Sequence, residues 1–416
     1  MRKISVSALQ GSLLLFITFI HTIALAKTDT TAIGEQSQSL FELKDGDRVV
    51  FLGNSLFEFD QQYGYIEFAL TSRWPDRAIT FRNLGWTGDT VFGDARSYFT
   101  SPPSAYELLI QQITKAQPTV VFLAYGANEA YEGETGLSHF VDGLNQLLDE
   151  IDKLGAKTVL LSPIPQMPAE PTVNNLEERN QNLQLYASAI SRTAAERDMH
   201  FIDLFKPLQK LSGSIALTTD GVHLNETGYY HLATMIEDGL GLPPRTWSVK
   251  VNLSQQLAES ASSAAILDSD IGKENIEFTV DDTLLPLPRP KQEEVDDDAR
   301  KLSISGLGRG CYTLRVDESQ VASAMAKTWA KGVEISQGAS FTQADQLRDR
   351  ILKKNELFFH QYRPLNRTYI IGFRSYEQGR HIKELEDLDL LIGWLEDQIA
   401  EIRAPKPVSY QLTPVM

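Results

Sequence analysis

Arg48-Val49-Val50-Phe51-Leu52-Gly53-Asn54-Ser55-Leu56 decides the reading of this chain. Its apolar run is short and lacks polar alternation, the pattern of a strand buried on both faces. Gly53 ends the run, and a polar pair opens the next element. The same unit recurs downstream. Ile79–Gly85, Thr119–Gly126, Lys157–Ser162 and His200–Phe205 are further short apolar runs. Helical patterns lie between them: Tyr65–Trp74, stopped by Pro75, and a segment opened by a capping box at Ser104 and Glu107. Another carries Phe140, Leu144, Leu147, Ile151 and Leu154 on one face, with Gly155 as its stop. Leu176–Arg197 and a helix from about Glu226 follow. Strands alternating with helices imply a parallel sheet covered by helices on both faces, an α/β class. In such sheets ligands gather beyond the carboxyl ends of the strands.

Three of those ends are followed by polar residues. Gly53-Asn54-Ser55-Leu56, Gly85-Trp86-Thr87-Gly88-Asp89-Thr90 and Gly126-Ala127-Asn128-Glu129 each continue a predicted strand, and Asp220-Gly221-Val222-His223 comes later. Serine is a poor nucleophile until a base takes its proton. Ser55 is lifted above the sheet edge by a strand-to-helix turn. His223 is the candidate base, and Asp220, three residues before it, can hold one ring nitrogen while the other faces Ser55. Tetrahedral intermediates need donors aimed at the developing oxyanion. The Ser55 and Gly88 backbone N–H groups and the Asn128 amide can supply them. Taken singly, each residue is better read as a helix cap or a turn. The set in order is what carries the chemistry.

The four segments resemble the blocks of the SGNH hydrolases, also called GDSL lipases and acylhydrolases. The resemblance covers roughly residues 46–241. It implies a flavodoxin-like three-layer αβα sandwich with a parallel sheet, a Ser55–His223–Asp220 triad, an oxyanion hole of Ser55, Gly88 and Asn128, and acylation followed by deacylation by water. There are two departures. The family's Gly-Asp-Ser is Gly53-Asn54-Ser55, where Asn54 is isosteric with aspartate. Its Gly-x-Asn-Asp is Gly126-Ala127-Asn128-Glu129, where the longer Glu129 is expected to reposition the loop carrying Asn128. Neither removes a mechanistic group. Arg96, shortly past Gly88, can meet an acidic substrate group or pair with Asp94, and the salt bridge is the favoured reading.

The chain has 416 residues and a net charge of -16, without a basic cluster. A nucleic-acid partner is therefore not expected. Residues 1–26 read as a signal peptide: Arg2 and Lys3, the apolar Leu13–Ile20, then Ala24-Leu25-Ala26 as cleavage site. The apolar run is too short to span a bilayer, so export to the periplasm or the exterior is expected, with no stable membrane insertion. Cys311 is the single cysteine, so internal disulfides are excluded, and no metal-ligand spacing stands out. The mechanism needs no cofactor and no metal.

The expected organisation is a signal peptide (1–26), a flexible spacer (27–44), a hydrolase domain (45–245) and a C-terminal α+β extension (246–416). In the extension, short alternating runs precede a solvated connector, Leu284–Arg300, ending in an acidic run. Helices are expected near Val321–Ala330 and Gln343–Lys354, and Phe358–Arg367 reads as an aromatic and cationic loop, either overhanging the site or forming a core corner with a few surface charges. A final helix places Leu385, Leu388, Ile392, Leu395, Ile399 and Ile402 on one stripe, to dock on the body or on a second copy. The expected function is an exported serine esterase cleaving short acyl groups, chiefly acetyl, from carbohydrates or other small esters. The alternatives are a lipase or lysophospholipase and a non-catalytic binding module on the same fold.

Overall fold

In the computed structural model, residues 41–415 are described, apart from 98–102, 170–174, 273–275, 291–299, 366, 371, 375 and 378–380. The signal peptide and most of the spacer lie outside the described residues. The spacer's end does not match the expectation. Leu43 is fully buried and Phe41 N–H donates to the Leu240 carbonyl at 3.1 Å, so packing begins before residue 45.

The opening nine-residue stretch forms β1 (Arg48–Gly53) and the start of α1 (Ser55–Asp60); α2 (Tyr65–Arg73) follows. The chain continues through β2 (Thr80–Asn83), α3 (Ala105–Ala116), β3 (Val120–Ala124), α4 (Gly133–Lys153) and β4 (Lys157–Leu161). Then come α5 (Leu176–Glu196), β5 (His200–Ile202), α6 (Phe205–Leu211) and α7 (Glu226–Gly239). The sheet is parallel, in the order β2-β1-β3-β4-β5. Its two faces follow the period of two. Val49, Phe51, Val120, Phe122 and Val159 enter one core, and Val50, Leu52, Val121, Leu123 and Leu160 enter the other. Both faces are apolar because both carry helices, which is why the strands read as unbroken apolar runs. This is the flavodoxin-like α/β sandwich expected from the sequence.

The second half of the chain adds β6 (Trp247–Asn252), β7 (Leu257–Ser262), β8 (Ala264–Ile271), β9 (Ile276–Asp282), β10 (Arg300–Ser305), β11 (Cys311–Val316) and β12 (Ser319–Met325). After them come α8 (Ala326–Lys331), β13 (Val333–Ile335), α9 (Ala339–Tyr362), α10 (Arg367–Ile370), α11 (His381–Ile402) and β14 (Val408–Pro414). The strands form two sheets, β13-β10-β6-β7 and β12-β11-β14-β9-β8, which share one apolar core around Trp247, Phe278, Leu302 and Tyr410. Asp282 ties this core to α9: it accepts from Trp247 Nε1 at 2.6 Å, Arg300 Nη1 at 2.5 Å and Ser340 Oγ at 2.8 Å.

Several expectations for this region are corrected. The helix foreseen over Val321–Ala330 is strand in its first half, residues 321–325, because those alternating residues pair with β11, and helix α8 only from Ala326. The helix foreseen over Gln343–Lys354 runs on to Tyr362, so half of the foreseen overhanging loop is its last turns. The connector is not solvated throughout: Leu285 and Leu287 are buried in the first core, while its acidic run lies outside the described residues. The stripe on α11, by contrast, docks on the body, one of its two expected outcomes: Ile392, Leu395 and Ile399 are buried and α11 packs along α9.

α9 docks on the parallel sheet's helices through buried charge. Lys354 Nζ donates to Glu67 Oε1 at 2.6 Å and to the Phe81 carbonyl at 3.0 Å, and Asn355 Nδ2 donates to Glu67 Oε2 at 2.9 Å. The two charged side chains are 1% and 3% exposed. Burial pulls the Lys354 ammonium below its usual range, against the pull of Glu67. Losing either partner strands a charge in the core, a cost of about 3–5 kcal/mol.

Candidate active site

Ser55 stands at the first position of α1, where a serine commonly spends its hydroxyl on capping. Here Asn54 is the cap: its Oδ1 accepts from Leu56 N–H at 3.2 Å. Ser55 keeps its hydroxyl free of that duty and remains half-buried at the mouth of the sheet. Gly53 is required just before it. A Cβ there would collide with the Ala124 carbonyl, so the close approach of the β1 and β3 ends admits no side chain.

Asp220 and His223 lie on a tight loop closed by a bridge between Thr218 and Leu224. The loop is pinned at its base. Asn225, the cap of α7, receives Gly228 N–H at 2.8 Å and donates its amide to the Ala216 carbonyl at 2.9 Å. Asp220 Oδ1 accepts the backbone N–H groups of Val222 and His223 at 2.9 and 2.7 Å. Its Oδ2 sits 2.6 Å from His223 Nδ1, which leaves Nε2 as the outward nitrogen. Partial burial works to raise the Asp220 pKa. The hydrogen bonds from the His223 backbone and ring and from Val222 N–H outweigh it and hold the carboxyl at about 2. Asp220 is thus ionised at neutral pH, facing the ring it orients. The ring's outer side rests on Phe59, with centroids 4.7 Å apart.

Ser55, Asn128 and His223 line one pocket, together with Tyr131, Ser162, Gln166, Arg179 and apolar side chains. Its cavity volume is about 60 Å³. Asn128 is fixed by its own amide, which donates to the Asp89 carbonyl at 2.7 Å, so one amide hydrogen is left over. Glu129, the departure beside it, is buried and staples two loops: it accepts Val91 N–H at 2.9 Å and Gly126 N–H at 2.8 Å. Burial raises its pKa to about 7 despite these bonds.

Gly88 lies on the turn leading to Asp89, exposed, with φ +82°, a conformation that favours glycine. It does not line the cavity itself. The turn is braced from outside. Thr87 N–H donates to Glu58, whose Oε1 accepts Arg363 Nη1 at 2.9 Å, and Tyr362 Oη donates to the Gly85 carbonyl at 2.7 Å. The Arg363 guanidinium also lies 4.0 Å from the Trp86 ring centroid.

Arg96 is corrected. It is fully buried, 0% exposed, and does not reach the pocket. Nor does it pair with Asp94, which bonds Thr90. Its Nε donates to Asp89 Oδ2 at 2.8 Å and its Nη2 to the Leu84 carbonyl at 2.8 Å. Asp89 also takes Tyr125 Oη at 2.7 Å. Arg96 is a scaffold beneath the Gly88 turn. Arg179 and Tyr131 were missed in the sequence. Among the described residues, no group of three or more His, Cys, Asp or Glu side chains could hold a metal ion, and no helix is long and apolar enough to cross a membrane.

Residues 51–230 match the model of the GDSL-like lipase/acylhydrolase family. Among solved structures, the chain is similar to a gut microbial diltiazem-metabolizing enzyme: 18% identity, covering 91% of this chain and 100% of that one, with TM-score 0.69. It is also similar to an acetylxylan esterase from Geobacillus stearothermophilus: 19% identity, 49% of this chain and 98% of that one, with TM-score 0.39. No curated protein matches the chain. The first likeness extends the fold resemblance through the C-terminal sheets and helices.

Proposed function

We propose that the chain is an ester hydrolase, a reading supported by the match of residues 51–230 to the GDSL-like lipase/acylhydrolase model, and that Ser55, His223 and Asp220 cleave short acyl esters, acetyl foremost, from a carbohydrate. One observation supports this most. The candidate nucleophile, an amide donor and a histidine already paired with an ionised carboxylate face the same small pocket.

In this reading His223 Nε2 takes the Ser55 proton as Oγ attacks the carbonyl carbon. The oxyanion is held by Ser55 N–H, the free Asn128 amide hydrogen and Gly88 N–H. The intermediate collapses, the C–O bond breaks, and the alcohol leaves with the proton from His223. Water, deprotonated by the same ring, then attacks the acyl-enzyme and frees the acid. Asp220 stabilises the imidazolium in both halves. A cavity of about 60 Å³ suits an acetyl group, which favours this reading over a lipase. The N-terminal leader adds export to the periplasm or the exterior.

The test is hydrolysis of acetyl, butyryl and long-chain esters and of acetylated polysaccharides, with wild type beside Ser55→Ala. Acetyl esters should be cleaved fastest, and Ser55→Ala should be inert. Equal rates on long-chain esters would remove the short-acyl reading, and an active Ser55→Ala would remove the serine mechanism.

A further inference from the structure

Arg179 lies in the first turn of α5 and lines the pocket shared by Ser55, Asn128 and His223. It is 9% exposed. Its Nη2 donates to the Ala127 carbonyl, and its guanidinium stacks on Tyr131, 3.3 Å from the ring centroid. The other two nitrogens, Nε and Nη1, are buried and meet no hydrogen-bond partner among the described residues. No carboxylate lines the pocket to neutralise the charge. The helix end worsens the position, because the partial positive charge of an N-terminus repels a cation. A buried charge that lacks both a counter-ion and full hydrogen bonding is costly. The Tyr131 stack and the bond to the Ala127 carbonyl offset only part of that cost at Arg179.

We propose that Arg179 is a specificity-determining residue that binds a carboxylate of the substrate, so that the preferred ester is anionic. This deepens the proposed function and rests on that reading of the same pocket. A guanidinium presents parallel N–H donors matched to a carboxylate, and the interaction strengthens away from water. Tyr131 is the cover. It is 68% exposed and, besides the stack, receives Gln166 Nε2 only at 3.4 Å. Turning its ring outward gives Nε and Nη1 to the ligand. The carboxylate can belong to the acyl group, as in a dicarboxylic monoester, or to the alcohol, as in a uronic acid.

Two matched ester pairs separate these sources. 4-Nitrophenyl hemisuccinate against 4-nitrophenyl butyrate puts the charge on the acyl side. An acetylated methyl glucuronoside against the acetylated methyl glucoside puts it on the alcohol side. The readout is the ratio of kcat/KM, anionic over neutral, in wild type, Arg179→Lys, Arg179→Gln and Ser55→Ala. In wild type one pair should favour the anionic member by about tenfold or more, and rising salt should shrink the ratio. Arg179→Gln should bring it to about one, and Arg179→Lys should keep part of it. Using a ratio cancels any shared loss from freeing the Ala127 carbonyl. A wild-type ratio at or below one in both pairs overturns the proposal, and so does a ratio unchanged in Arg179→Gln. Should the Gln variant fail to fold, the wild-type ratio and its salt dependence decide. A fully active Ser55→Ala instead removes the serine mechanism, and the anion preference is then judged on the ratio alone.

Discussion

The turn carrying Gly88 and the turn carrying Asn128 follow strand ends on either side of β1 and meet where the Asn128 amide donates to the Asp89 carbonyl, but they are held by different parts of the chain. Asn128 is braced from within the parallel-sheet region: Glu129 staples Gly126 to Val91, and Arg179 grips the Ala127 carbonyl. The Gly88 turn rests below on the buried Asp89–Arg96 pair and is gripped from outside by Tyr362 and Arg363, at the end of α9. The region that matches the hydrolase model therefore holds the groups of the proposed mechanism, while the second half of the chain supplies part of their support. A contact between Tyr362 and Gly85 spans most of the sequence, so the support cannot be local.

The comparison has meaning only if both turns serve one nucleophile, and the largest expected effect tests that. Ser55→Ala and His223→Ala should each lower ester turnover by about 10⁴-fold or more, since the members of such a triad act as a unit. Steady-state hydrolysis of an acetyl ester measures it, and wild-type rates in either variant would dissolve the comparison. Next comes the donor itself. Asn128→Ala should lower kcat by roughly 10²–10³ with little change in KM, the usual loss for one oxyanion donor. A pure KM effect would make Asn128 a substrate contact.

The external brace is expected to matter less. The double variant Tyr362→Phe, Arg363→Ala removes two charged or polar contacts to the Gly88 turn and should lower kcat about 30-fold, at roughly 1 kcal/mol for each lost contact. KM should hold, and Lys at 363 should restore part of the rate. If kcat does not move, the second half of the chain docks without supporting the site, and the comparison fails.

The smallest effect concerns pH. Glu129 titrates near 4.5 when unfolded, and its burial raises this to about 7 in the fold. Between those values the folded protein keeps a proton that the unfolded chain gives up, so stability falls as pH rises across that window. Glu129→Gln should flatten the slope in chemical denaturation. The flattening is partial, because burial also raises buried Asp60 to about 7. An unchanged slope would mean that Glu129 is ionised where it sits.

The alternation of the parallel sheet was legible because each strand is apolar on both faces, and the reactive segments because they follow strand ends. Other features left no local trace. Arg179 sits in Glu177-Glu178-Arg179, the spelling of any solvated helix start, and only the fold turns it inward. Arg96 read as a surface salt bridge because Asp94 is near in sequence, yet Asp89 outcompetes it through burial. The docking of α9 was hidden because Lys354 and Glu67 are 287 residues apart, and a lysine in a helix normally faces water. β12 was misread because Val321-Ala322-Ser323-Ala324 alternates weakly and favours helix by composition, until pairing with β11 decides it.

The Lys354–Glu67 pair also bears on how the chain is made. During synthesis Glu67 leaves the ribosome long before Lys354. Until α9 arrives, α2 offers a carboxylate and apolar neighbours to a face that has nothing on it. The parallel sheet can collapse early, but its outer layer stays unfinished, and such half-covered intermediates are prone to association. Completion is therefore a late event, set by the arrival of the last helices rather than by the strands that define the fold.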